Sequence, residues 1–148
     1  MRAMATLAFL GALLVAPLRA QKYEYKVVTI VESVISMGLG RSRMIETTSA
    51  LDYKEFTGSR GGGKETKATE PRGENVSFSE TALLNLYSGT GINFGNIAVN
   101  DALITSKINE MISQGWELAF VVSGVESNAG QGDGSGIFIT RLFFRRPK

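Results

Sequence analysis

Apolar residues recur along this chain with two different periods, and one glycine marks the change between them. Ile104, Ile108, Met111 and Ile112 stand at i, i+4, i+7 and i+8, which is one face of a helix. Asn100 and Asp101 supply the cap and the negative charge favoured at a helix start, so the pattern predicts a helix from Asp101 to Gln114. Lys107, Asn109, Glu110 and Ser113 fall on the face expected to meet water. Gly115 fits the left-handed position just past the helix end, where a side chain meets a steric penalty. From Trp116 the period becomes two. Trp116, Leu118, Phe120 and Val122 share one face of a strand, and Glu117, Ala119, Val121 and Ser123 share the other. The connection is so short that the helix should fold back over the larger face.

Other strands surround this unit. Lys22 to Ser36 is rich in Tyr, Val, Ile and Thr and lacks Gly and Pro, so it predicts a long strand. Tyr23, Tyr25, Val27, Thr29 and Val31 take one face, and Lys22, Glu24, Lys26, Val28 and Ile30 the other. Gly38-Leu39-Gly40 marks a turn. Arg43 to Thr48 then offers a return strand, and Leu51, Tyr53 and Phe56 either extend it or open a short helix. Val76 to Ser88 offers a further strand, interrupted near Glu80. Gly89-Thr90-Gly91 breaks it, and Ile92 to Val99 reads as a connecting loop anchored by Phe94 and Ile97. Gly124 to Gly136 is a glycine-rich loop that joins the Trp116 strand to a last strand, Ile137 to Arg146, in a hairpin. In that last strand Phe138, Leu142 and Phe144 share one face, and Ile137, Ile139 and Phe143 the other.

Two segments stand apart from the packing pattern. Met1 to Ala20 has an early Arg2, an apolar run from Ala3 to Val15 and the ending Pro17-Leu18-Arg19-Ala20, the layout of a cleaved signal peptide. The run is short of the ~20 apolar residues that span a bilayer, so no stable membrane insertion is expected after cleavage. The expected organisation is thus a leader over 1–20 and a single domain over 21–148. Within it, 57–75 holds five Gly, one Pro and many charges with no large apolar residue, and is expected to be a mobile insert.

Composition then narrows the chemistry. The 148-residue chain has 16 basic and 14 acidic residues, but Arg2 and Arg19 leave with the leader, so the mature part carries no net charge and no field that gathers nucleic acid. It has no Cys and no His, which removes thiolate nucleophiles, most zinc sites and imidazole bases. No pair of carboxylates stands out as a glycosidase couple. Glycine-rich spacings are weak signals. Gly58 to Lys64 has P-loop spacing, but Glu65 follows where Ser or Thr would hold magnesium, so a polar loop is expected. Gly89, Gly91 and Gly95 miss the dinucleotide spacing by one place, which favours a turn. Asp133 and Glu126 are a thin oxygen supply for calcium. Arg141, Arg145, Arg146 and Lys148 alternate with aromatics, but neutral charge favours inward packing over nucleic-acid stacking.

The motifs YEYKVV at Tyr23 to Val28, Gly115-Trp116-Glu117-Leu118 after a helix, and a final aromatic-basic FFRRPK resemble a family of small bacterial proteins of unknown function. The resemblance covers Tyr23 to Ser36 and Asp101 to Arg146, and departs between Arg41 and Val99. It implies a compact strand–helix–hairpin unit and no catalytic residues.

The expected fold is α+β: an antiparallel or mixed sheet of four to five strands with one main helix packed on one face. One helix cannot cover Val28, Ile30, Ala119, Val121, Ile137, Ile139 and Phe143. A surface including Ile137, Ile139, Phe143, Val121, Arg141 and Arg145 is therefore the candidate interaction site. The expected function is a secreted or periplasmic, non-catalytic module without cofactor, forming a homo-oligomer or binding another protein. The alternative is a small-ligand or ion-binding domain using the loop 124–136.

Overall fold

A computed structural model describes residues 22–34, 42–63, 65–73, 76–126 and 136–148. The expected leader lies outside them. The chain runs through β1 (Tyr23–Ser33), β2 (Arg43–Thr47), a 3-10 turn (Tyr53–Phe56), β3 (Phe78–Ala82), β4 (Tyr87–Ser88), β5 (Gly91–Ile92), α1 (Phe94–Ser113), β6 (Glu117–Glu126) and β7 (Ile137–Pro147). Among the described residues, five strands form an antiparallel sheet in the order β3-β2-β1-β7-β6, and β4 and β5 form a small hairpin. The fold is α+β, with one main helix on one face of the sheet. No described helix is long and apolar enough to cross a membrane.

The two longest strands form the middle of the sheet. β1 pairs with β7 from Tyr23↔Pro147 to Ser33↔Ile137, and its other side takes β2. β1 is apolar on both faces, so its neighbours decide which face is covered. Val28 lies opposite Leu142, and Ile30 opposite Met44, and all four are buried under α1 with Phe144. Each such side chain contributes on the order of 2 kcal/mol on burial. Val28 and Ile30 thus belong to the core, not to the uncovered surface expected from the sequence. The uncovered β1 residues are those of the opposite parity: Tyr25, Val27, Thr29 and Val31.

Helix α1 ends as expected and begins earlier. At its C-terminus the Gly115 N–H donates to the Ile112 carbonyl at 2.9 Å and the Trp116 N–H to the Met111 carbonyl at 3.0 Å. Gly115 has φ +83°, and Trp116 and Met111 both join the core, which completes a Schellman motif with its apolar contact. The N-terminus lies at Asn93, whose side chain accepts from the Asn96 N–H at 3.1 Å. The expected loop over Ile92–Val99 is therefore mostly helix. Gly95 and the β-branched Ile97 and Val99 are poor helix formers, and here tertiary bonds override that preference. Asn96 and Asn100, one turn apart, reach the segment after β3. Asn96 Nδ2 donates to the Asn85 carbonyl at 2.8 Å, and the Asn100 side chain brackets Leu84. Asn100 is an interior clamp and not a cap. Phe94 is exposed, so it anchors nothing. Ile112 is also exposed, while Leu103 packs on the core in its place.

Candidate interaction face

The site is built by the β6–β7 hairpin. Strict alternation along β7 sends Leu142 and Phe144 under the helix and Ile139, Arg141, Phe143 and Arg145 to the opposite, open face. β6 does not alternate strictly. Leu118 lies opposite Phe144, but Phe120 lies opposite Phe143, so Ala119 is an extra residue and the strand is bulged there. Trp116 and Leu118 keep the expected helix side. Phe120 and Val122 are turned out to the open face, where they are 48% and 52% exposed. The Phe120 ring stacks on Phe143 with centroids 4.5 Å apart.

The same bulge moves Val121 to the helix side, opposite the buried Leu142. Yet Val121 is 51% exposed and Val125 59%, because α1 crosses toward β1 and β2, where Asn100 meets Glu32 and Lys107 meets Glu46, and leaves this part of β6 uncovered. The six residues expected to form one surface therefore divide. Ile137, Ile139, Arg141, Phe143 and Arg145 share the open face, and Val121 lies on the reverse. Beyond its bulge, β6 carries apolar side chains exposed on both sides. It is also the last strand of the sheet. Hollows lie against it on each side: one of about 300 Å³ bordered by Val122, Gly124, Ile139 and Arg141, and one of about 410 Å³ bordered by Leu86, Val125 and Phe138.

Most of the described charged side chains on the open face are paired. Arg145 grips Glu117 through two hydrogen bonds of 3.0 Å and lies 4.9 Å over the Tyr23 ring. The hydrogen bond from Arg145 holds the Glu117 carboxyl below its ordinary value, and the same bond raises Arg145. Arg43 pairs with Glu80. Arg141, between Thr29 and Val122, has no described carboxylate partner.

On the helix side, a second charged cluster is structural. Glu46 takes the Lys107 ammonium at 2.6 Å and that of Lys26 at 2.7 Å, so Lys107 does not simply face water. Burial alone would raise the Glu46 carboxyl, but hydrogen bonds from Lys107 and Lys26 hold it below its ordinary value. Burial pulls Lys107 down, and its bonds to Glu46 and Glu110 outweigh that and raise it. Arg146 lies 4.4 Å over the Trp116 ring and donates to Glu24 at 2.7 Å. A general acid or base works best with a pKa near the ambient pH, and Glu46, Glu117 and Lys107 are all moved away from neutrality.

The other candidates take less definite forms. Around Gly58 the chain closes a Ser59–Thr66 bridge, and no described residue from Gly61 to Arg72 is helical, so the dipole a P-loop needs is missing there. Lys64 lies outside the described residues. Gly124 to Glu126 belong to β6, while Asp133 and the rest of the proposed ion loop through Ser135 lie outside the described residues. No group of three or more metal-ligating side chains occurs among the described residues.

Three features escaped the sequence reading. The Asn96–Asn100 pair had a visible signal, two amides at helical spacing. The Lys107–Glu46 pair joins residues distant in the chain and had none. The Ala119 bulge had none either, because no glycine marks it. Compared with known proteins, the chain matches no family model and no curated sequence.

Proposed function

We propose that this chain is a secreted or periplasmic, non-catalytic module that associates with itself or with another protein through the β6–β7 side of its sheet. One observation carries the reading: β6 is an edge strand whose Phe120, Val121, Val122 and Val125 are about half exposed or more, on both faces of the sheet. Contiguous exposed apolar surface next to an unpaired strand edge is the usual mark of a contact surface. The leader-like Met1 to Ala20 supports export. Kinship with the small bacterial proteins bearing YEYKVV and GWEL is part of the same proposal; those motifs form the start of β1 and the α1–β6 junction.

The test compares the chain from Gln21 with its Phe120→Glu variant. Sedimentation velocity over a concentration series should show association in the wild type and its loss in the variant, with thermal stability retained because the ring is half exposed. A wild type that stays monomeric at millimolar concentration, and retains the same exported proteins on a column as the variant, would overturn the reading.

A further inference from the structure

We infer that β6 pairs antiparallel with β6 of a second copy about a two-fold axis at Val122, joining two five-stranded sheets into one of ten strands. This inference rests on the interaction module proposed for the β6–β7 side, and it names the partner and the register.

The first argument is the state of the edge. β6 spans ten residues, and no described backbone group bonds to its outer side. Edge strands are normally blunted by Lys, Pro, brevity or a bulge, and the bulge of β6 at Ala119 lies before the segment 120–124. β6 has no Lys and no Pro, and its only charges are its first and last residues, Glu117 and Glu126. The opposite edge is protected: β3 has five residues, and Glu80 at its centre pairs with Arg43.

The second argument is register. In a self-pair centred on Val122, Val122 faces Val122, Phe120 faces Gly124 and Val121 faces Ser123. Every pair joins residues of the same sheet face, as antiparallel pairing requires. Phe120, Val122 and Gly124 lie on the open face, and Val121 and Ser123 on the reverse. Gly124 has open space where a side chain would stand, with nothing within 4 Å, and it borders the 300 Å³ hollow. The exposed Phe120 ring of the second copy would fill that hollow and cover the bare glycine backbone, and the symmetry repeats the contact.

Charge separates this arrangement from stacking of the two open faces. Residues 120–124 are uncharged, so the axis brings no like charges together. The two Arg141 residues, one strand in from each edge, would be three strand spacings apart, about 14 Å, beyond the ~8 Å screening length. Face-to-face stacking would instead bury each unpaired Arg141 in an apolar layer about 10 Å thick, at a large desolvation cost.

The chain has no cysteine, so single introduced thiols report the register without background. Cα atoms directly opposite in an antiparallel pair are about 4.5–5.5 Å apart, within reach of a disulfide. Under mild oxidation Val122→Cys should give mostly covalent dimer. Val121→Cys and Ser123→Cys should cross-link poorly alone and readily when mixed. Thr47→Cys, exposed on β2, sets the background. Cross-linking of Val122→Cys at that background level overturns the inference. If Phe120→Glu still abolishes association in that case, the module stands and only the register falls. If the wild type is also monomeric and partner retention is unchanged, both fall.

Discussion

Replacing Asn100 by Leu should destabilise the protein by about 2.5 kcal/mol, because this buried amide ties three elements together. Its side chain is 0% exposed. The amide oxygen accepts the Leu84 N–H at 2.8 Å, and the amide nitrogen donates to the Leu84 carbonyl at 2.8 Å and to Glu32 at 3.1 Å. Three hydrogen bonds at a net ~1 kcal/mol each amount to about 3 kcal/mol. Any of the freed Leu84 backbone groups that the new side chain keeps from water would add to this loss. Leu is the better helix former and returns roughly 0.5 kcal/mol. For a domain of this size the loss corresponds to a fall of about 10 °C in Tm. Urea unfolding followed by the fluorescence of Trp116, the single tryptophan, measures it. Asn100→Asp separates hydrogen bonding from packing. It keeps the acceptor for Leu84 but sets a carboxylate against Glu32, so it should be at least as destabilised at neutral pH and recover in part in acid. A change of less than about 0.5 kcal/mol in Asn100→Leu would refute the reasoning, since the three bonds would then be worth no more than the contacts of a leucine.

Two further outcomes follow from geometry. Gly115→Val should cost about 1–2 kcal/mol through backbone strain alone, because φ is +83° and the nearest atom to a new Cβ, Arg146 Cδ, is an unstrained 3.8 Å away; Gly115→Asn should cost less, and equal melting temperatures for all three proteins would contradict this account. Glu46 is stabilising when ionised, since its folded pKa is depressed. That contribution is full above the ordinary carboxylate value and is lost as the pH falls through the lowered one. Lys107 behaves oppositely, holding its contribution below the ordinary lysine value and losing it as the pH rises through the raised one. Glu46→Gln should therefore narrow its stability gap to the wild type in acid, and a gap independent of pH would show that the pair is not the cause.

Local periodicity was legible wherever one residue's neighbours in sequence settle its environment. The α1–Gly115–β6 junction is such a case, because φ, hydrogen bonds and the Trp116–Met111 contact all lie within one turn. β7 is another, since it alternates without interruption. β1 shows the limit. Both its faces are apolar, and only the pairing with Leu142 and Met44 selects Val28 and Ile30 for the core. The first two turns of α1 were illegible for a related reason. Their propensity is poor, and they are held by Asn85 and Leu84, which no local pattern connects to them. The bulge at Ala119 divided the candidate site, because a one-residue slip moves every later side chain to the opposite face. Sequence alternation cannot show it; the pairing of Phe120 with Phe143 does.

The central pairing of β1 with β7 has a consequence for the order in which the molecule can be assembled. Partners such as Tyr23 and Pro147 are more than a hundred residues apart, and this is the longest ladder in the sheet. Contacts of such separation close slowly, and here they need the last strand to be synthesised. Until then β1 has only the short β2 beside it, and β6 has no partner in the sheet. A nascent chain of this design cannot close the centre of its sheet until β7 emerges. An exported polypeptide must stay open while it is threaded through its channel, so this topology is compatible with the export proposed above.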